Sequence, residues 1–276
     1  MTVVHAGLIG CGAIGTVIAE AIDSGKAGEI SLVMIYDIIR ERAEKLASKL
    51  SHKPLIAKDA DDLLNRDDVQ VVIEAASQEA VKQYAIKTLL KNKDFMVMST
   101  GALLDEPLLN NILEAAENSN RKVYVPSGAI VGLDNVKSAA VGRIEEITLT
   151  TRKPPISFEG VPYVERSKIN LSSLKEPLVL YEGNAREAVK LFPQNVNVAA
   201  SLSLAGVGPD KTKVRIIVDP SIKHIVHEIH VRGDFGEIYT RTINKPFPNN
   251  PRTSYIAALS AIATLRKISG SIIVGT

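Results

Sequence analysis

The 276-residue chain has a single cysteine, which excludes an intrachain disulfide and any zinc site built on cysteines. It has almost no excess charge. Lys plus Arg number 33 against 31 Asp plus Glu, a balance of +2, too small to build the field that tracks a phosphate backbone. Nucleic acid is therefore not an expected partner. No window approaches 18 consecutive apolar residues, so no membrane span is expected. Nor does a basic region with a small-residue cleavage site precede the first apolar run, so no leader is expected. Together these absences point to a cytoplasmic, reducing compartment. What remains is ordinary: 45% apolar and 23% charged residues, as in soluble globular proteins. At roughly 150 residues per domain the length predicts about two domains.

Between residues 3 and 125 short apolar runs alternate with amphipathic stretches. The pattern predicts strands at 3–9, 30–36, 69–75, 95–98 and 122–125, and helices at 13–23, 40–50, 79–91 and 108–117. Continuous apolar strands separated by helices imply a doubly wound parallel sheet covered on both faces. After about residue 127 the pattern changes. Runs 144–151, 213–218, 225–231 and 237–243 alternate at period two, with helices predicted at 185–192 and 196–204. The fold class expected is α/β: an N-terminal Rossmann-type sheet plus a second α+β domain with a mostly antiparallel sheet. Residues 152–177 have no clear period and read as a long loop; 254–267 reads as a helix entered through Asn249, Asn250 and Pro251. The division expected is 1–126 with the C-terminal helix 250–276, and 127–249 as a catalytic and dimerisation domain.

The residues Gly10, Gly12, Ala13, Ile14 and Gly15 form a G-x-G-x-x-G between the first strand and the first helix, the context a dinucleotide requires. Gly10 permits the tight turn, Gly12 lets backbone approach a pyrophosphate, and Gly15 allows close helix packing. Asp37 ends the second strand, 22 residues beyond Gly15, where a carboxylate accepts from ribose hydroxyls and repels a 2′-phosphate. That favours NAD; Arg40, three residues on, keeps NADP open. Cys11 reads as a small filler. Ligands of such sheets lie beyond the carboxyl ends of the strands, which places Ala75, Ala76 and Ser99 among the expected cofactor contacts. Glu74 beside them is either a catalytic acid or a structural acceptor.

Three of the five histidines, His224, His227 and His230, fall within seven residues. On a strand His227 shares a face with Ile225, Ile229 and Val231, whereas His224 and His230 share the other with charged residues. They do not converge on one ion, and no metal is expected. His227 on the apolar face is either a satisfied core histidine or a base, since a neutral imidazole accepts a proton near pH 7.

Several longer stretches then resemble one family. GLIGCGAIG, VPSGAIVGLD (125–134), LTTRKPP (149–155), FPQNVNVAASLSLAG (192–206), VHEIHVRGDFGEI (226–238) and NPRTSYIAALSA (250–261) are similar to L-aspartate dehydrogenases of the kind associated with NAD biosynthesis. The resemblance covers essentially the whole chain. It implies oxidation of L-aspartate with NAD(P) to iminoaspartate, or to oxaloacetate plus ammonia after hydrolysis. It also implies cofactor contacts at Ala129 and Asn197, with Asn195 a neighbouring candidate, an active-site histidine at His227, and a homodimer joined through the second domain's sheet. Arg152 and Lys153 are the nearest cations for a substrate with two carboxylates, or else a solvated loop entrance. Two other readings stay open: a related two-domain reductase of the dihydrodipicolinate or homoserine type, and a non-enzymatic NAD-binding regulator.

Overall fold

The computed structural model describes residues 3–193, 196–247 and 250–275, with backbone alone for 250–252. The chain divides into two compact units. The first runs to Pro126 and includes Ala258–Val274; the second comprises Ser127–Ala257 with Gly275.

In the first unit, β1 (Val4–Ile9), α1 (Ala13–Asp23), β2 (Ile30–Tyr36), α2 (Arg40–Lys49), β3 (Leu55–Ile56), α3 (Ala60–Leu64), β4 (Val71–Glu74), α4 (Gln78–Leu90), β5 (Asp94–Val97), α5 (Glu106–Ser119) and β6 (Val123–Tyr124) alternate. The six strands lie in the order β3-β2-β1-β4-β5-β6, and every pairing is parallel. This is the doubly wound arrangement, with the strand order reversing between β1 and β4. The helices start where side chains take up their free amides. Asp59 accepts from Asp62 N at 2.7 Å, Ser77 from Ala80 N at 3.2 Å and Asp105 from Leu108 N at 3.1 Å. Ala6 and Leu8 of β1, Ile73 of β4, Ile18 and Ile22 of α1 form one buried cluster, joined by Ala261, Ile262 and Leu265 of the C-terminal helix. Each large side chain buried there contributes about 1.5–3 kcal/mol. The sequence-predicted elements stand within a few residues of these; β3 and α3 are too short to leave a readable period.

The second unit holds α6 (Leu133–Ala139), β7 (Ile144–Lys153), α7 (Pro162–Arg166), β8 (Leu178–Asn184), α8 (Ala185–Leu191), α9 (Asn197–Ala205), β9 (Lys213–Val218), β10 (Ile225–Gly233), β11 (Gly236–Asn244), β12 (Pro246–Phe247) and β13 (Asn250–Ser254). Its main sheet has the order β11-β10-β7-β9-β8. Only β7 and β9 run parallel; the other three pairings are antiparallel.

Two expectations need correction. Residues 152–177 are not one long loop: β7 continues through Lys153, and short turns follow at Pro155–Phe158, α7 and Leu171–Ser173. They are pinned by buried Phe158, Val161 and Val164, with Phe158 and Tyr163 packed on Phe192 at ring separations of 6.5 and 4.9 Å. Isolated anchors of this kind leave no period to read. The C-terminal helix α10 (Tyr255–Ser269) follows Asn250 and Pro251 as expected, but these residues begin a strand, β13, which pairs with β12. That pairing draws residues 250–257 into the second unit, so the boundary falls at Ala258 rather than at 250. Asn249 lies outside the described residues.

Candidate active site

In the first unit, the turns after β1 and β4 flank the point where strand order reverses, the crevice in which such sheets bind ligands. Gly10 has φ +101° and a side chain there would stand 2.6 Å from the Ala75 carbonyl. A Cβ on Gly15 would collide with the Gly10 carbonyl oxygen, so α1 crosses the turn as closely as backbone allows. Gly12 is different: nothing lies within 4 Å of where its Cβ would be. Its space is open, as a loop that must meet a ligand requires. Gly12 caps α1 without a side chain, and no acidic residue stands in the first turn. The first bond of the helix runs from Thr16 N to Gly12 O at 2.9 Å, so the Ala13 and Ile14 amides precede its hydrogen-bond ladder. Free amides and the positive helix end together favour an anion.

Asp37 closes this turn from β2. Its Oδ2 accepts from Cys11 N at 2.7 Å and its Oδ1 from Ile39 N at 2.9 Å. The carboxylate thus holds the glycine turn while lining a cleft of about 270 Å³ with Gly10, Gly12, Ala75, Ala76 and Tyr84. The cation of this cleft is Arg42, one that sequence reasoning missed. Arg40 instead pairs with Glu44 at 2.9 Å on the exposed face of α2. The i,i+4 spacing of Arg40 and Glu44 was the available signal. Cys11 is buried, and burial, reinforced by Asp37, pushes its thiol up to about 12. It stays protonated and serves as filler.

Glu74 resolves as a structural acceptor. It is fully buried and receives Ala76 N (2.8 Å), Ser77 N (2.9 Å) and Ser99 Oγ (2.8 Å) on Oε1, with Met98 N (3.2 Å) and Ser99 N (2.9 Å) on Oε2. Burial pushes its proton affinity up and these donors oppose that. The residue ties the end of β4 to the end of β5. Ser99 is therefore spent on Glu74 through both its amide and its hydroxyl.

In the second unit, His227 on β10 has Thr151 of β7 and Thr242 of β11 as its register partners. Only 3% of it is exposed, and its Nδ1 lies 3.0 Å from Thr151 Oγ1. Burial first, and the positive charge of Lys153 second, push the ring down to about 3, so it is neutral at pH 7. Lys153 is equally buried, and burial alone pushes its ammonium down to about 7. Lys153 lies two residues beyond Thr151 on the same strand and so shares the His227 face. Arg152 does not: it points to the other face, where it meets buried Asp219 at 3.5 Å. The two sequence candidates for binding carboxylates are thereby separated, and only Lys153 stands with His227. His224 is exposed and His230 pairs with Glu237 at 2.6 Å. Among the described residues no group of His, Cys, Asp and Glu is arranged to hold a metal.

The carbonyl of Ala129 accepts from Thr242 Oγ1 at 3.1 Å and from buried Asn244 Nδ2 at 3.0 Å. A side chain on neighbouring Gly128 would stand 3.4 Å from Val198 Cγ1, which puts the 127–129 turn against the first turn of α9. Asn197 opens that helix. The segments that carry Ala129 and Asn197, 68 positions apart, thus meet in this unit. Asn195 lies outside the described residues. Thr151, Thr242 and Asn244 were missed by sequence reasoning; all three fall on strand faces pointing at His227 or Ala129.

A doubly wound sheet with an open glycine turn, joined to a sheet presenting a buried neutral histidine, defines the class of two-domain nicotinamide-dependent dehydrogenases. Residues 134–268 match the family model described as "Aspartate dehydrogenase, C-terminal", and residues 10–126 the one described as "Homoserine dehydrogenase, NAD binding domain". L-aspartate dehydrogenases from Methanococcoides burtonii and Nitrosopumilus maritimus are 48% and 44% identical, each over 98% of both chains. The crystal structure of aspartate dehydrogenase from Thermotoga maritima aligns with a TM-score of 0.76 at 30% identity, covering 99% of this chain and 100% of that one. The chain belongs to the L-aspartate dehydrogenase family. A homoserine dehydrogenase from Thiobacillus denitrificans shares the fold, at 15% identity and a TM-score of 0.63 over 98% of this chain and 74% of that one.

Proposed function

We propose that this chain is an NAD-dependent L-aspartate dehydrogenase, converting L-aspartate, NAD⁺ and water to oxaloacetate, ammonium, NADH and a proton by way of iminoaspartate. The observation that carries this reading is His227: a buried, neutral imidazole with one nitrogen engaged by Thr151, on a strand face shared with a buried lysine. The glycine turn, the open space at Gly12 and the Asp37 carboxylate fit a dinucleotide. When bound, the nicotinamide supplies the hydride acceptor. This chain's own residues handle binding and the proton. His227 takes a proton from the substrate ammonium as the Cα–N bond gains double-bond character, and then holds it or activates the hydrolytic water. The substrate's carboxylates raise the proton affinity of the ring beside them, so His227 becomes a better base on binding. Lys153 supplies positive charge on that face for one carboxylate.

Asp37 supports NAD over NADP, and Arg42 is the cation that offsets a 2′-phosphate if one enters. We assign Ala75, Ala76, Ala129 and Asn197 to the cofactor. A second copy of the chain is the expected partner: the face of the second sheet opposite His227 carries exposed Tyr239 and Ile243, and light scattering of the purified protein tests the dimer. A cytoplasmic location is supported by the lone cysteine, by relation to dehydrogenases, and by the lack of any described helix long and apolar enough to cross a membrane. Supply of iminoaspartate to NAD biosynthesis belongs to the same proposal.

The deciding assay follows reduced nicotinamide by its absorbance with a panel of amino acids and either NAD or NADP. Turnover confined to aspartate is expected. Turnover of homoserine in its place, or cofactor binding without turnover of any substrate, overturns the reading.

A further inference from the structure

His227 sits in the ladder between two threonines, and their hydroxyls are spent differently. Thr242 Oγ1 donates to the Ala129 carbonyl at 3.1 Å and accepts from Asn244 Nδ2 at 3.1 Å. It is committed to the 127–129 turn. Thr151 Oγ1, buried with 1% exposure, is 3.0 Å from the ring nitrogen Nδ1.

We infer that Thr151 is the positioning residue of the reaction: it accepts a hydrogen bond from Nδ1–H of His227 and thereby leaves the lone pair on Nε2 as the proton acceptor. A hydroxyl can serve as either partner, so the sense of the bond follows from what Nε2 must do. Were Thr151 to donate, Nδ1 would be the acceptor and the single proton of the neutral ring would sit on Nε2, which then has no lone pair for an ammonium proton. With Nδ1–H donating, the tautomer, the ring rotation and the reactive nitrogen are fixed by one contact. An aliphatic side chain of the same shape would leave a buried Nδ1–H unsatisfied, a state that costs free energy and frees the ring to change tautomer. The strand places Thr151 where no other described side chain is hydrogen-bonded to the ring. This assignment rests on the reading of His227 as the base.

The test uses the full-length protein with NADH bound and free. Thr151→Val keeps the β-branched shape and removes the hydroxyl; Thr151→Ser keeps the hydroxyl. Valine is expected to lower kcat roughly tenfold or more, a part of the 10²–10⁴ that general-base catalysis supplies. KM for NAD is expected to hold, and serine to restore most of the rate. Long-range ¹⁵N–¹H correlation of labelled histidine, with the His227 signals assigned by their loss in His227→Gln, is expected to show Nδ1 protonated in the wild type and a tautomer mixture in the valine variant. A wild-type ring protonated at Nε2, or an unchanged kcat in the valine variant, overturns the assignment. Because the tautomer is read without turnover, an inactive wild type would refute the proposed reaction while the spectrum still decides the role of Thr151.

Discussion

Thr151 Oγ1 lies 3.0 Å from Nδ1 of His227 across two adjacent antiparallel strands, with both residues buried. The contact joins positions 76 apart in the chain. Among the histidines of the second unit, His227 alone is buried. His227→Ala should cut kcat by about 100-fold or more, the scale of general acid–base catalysis. Calorimetric binding of NADH should survive, since the glycine turn is untouched. Near-normal turnover by the alanine variant would remove His227 from the mechanism.

Lys153 tunes that histidine. Its positive charge disfavours imidazolium, and burial disfavours it more. Lys153→Met removes the smaller of these effects, so the ring should protonate at a higher pH. The acid limb of the pH profile of kcat/KM, below which His227 is charged, should therefore move upward. A limb that stays in place would show that the two groups do not interact, and one that moves down would contradict the sign of the effect.

Stability should also respond to acid. The folded protein holds His227 at about 3 against an ordinary value of 6.5, so between those values the unfolded chain binds the extra proton. Stability then rises with pH through that window and is lost as pH falls through it. Lys153, held at about 7 against 10.5, acts in the same sense at higher pH. Thermal melts across the acid window should show a steeper loss for the wild type than for His227→Gln, which has no proton to take up. Parallel curves would contradict this origin of acid sensitivity.

The glycines of the turn should separate folding from binding. Gly15→Ala forces a Cβ into the Gly10 carbonyl and should cost about 1–3 kcal/mol of stability, as overpacking does. Gly12→Ala meets nothing within 4 Å and should leave the melting temperature unchanged. The same methyl fills the space a pyrophosphate needs, so NADH binding should weaken about tenfold or more, equivalent to ~1.4 kcal/mol. Loss of stability without loss of affinity in Gly12→Ala would place the ligand elsewhere.

Cofactor choice turns on Asp37 and Arg42, which line one cleft. The wild type should favour NAD, and Asp37→Ser should narrow the ratio of kcat/KM for NAD over NADP by roughly tenfold, or ~1.4 kcal/mol. Arg42→Ala in that background should reopen it. Equal use of both cofactors by the wild type would contradict the charge argument.

Much of this was legible because it is local. The alternation of apolar runs and amphipathic stretches predicted β1, β2, α1 and α2 nearly to the residue, since each period is set by the segment's own burial. Strand parity alone separated His227 from His224 and His230. Where the reading failed, the missing fact was an end or a neighbour. Ending β7 at residue 151 placed Arg152 and Lys153 in a loop, where they looked like a pair; two more residues of strand send them to opposite faces. The C-terminal helix was legible, but the pairing of β12 with β13 before it was not, because such short strands carry no period.

The sequence by itself determined the class of fold, the glycine turn and the face on which His227 lies, because periodicity and glycine geometry are properties of contiguous residues. Tertiary structure decided what each of those residues meets. Five donors from the turns after β4 and β5 made Glu74 an acceptor rather than an acid. Strand order placed Thr151 and Thr242 on either side of His227, and the packed sheet withdrew that ring and Lys153 from water. A hydrogen-bond partner and a desolvation penalty belong to the space around a residue. That space is made here by chain segments tens of residues away.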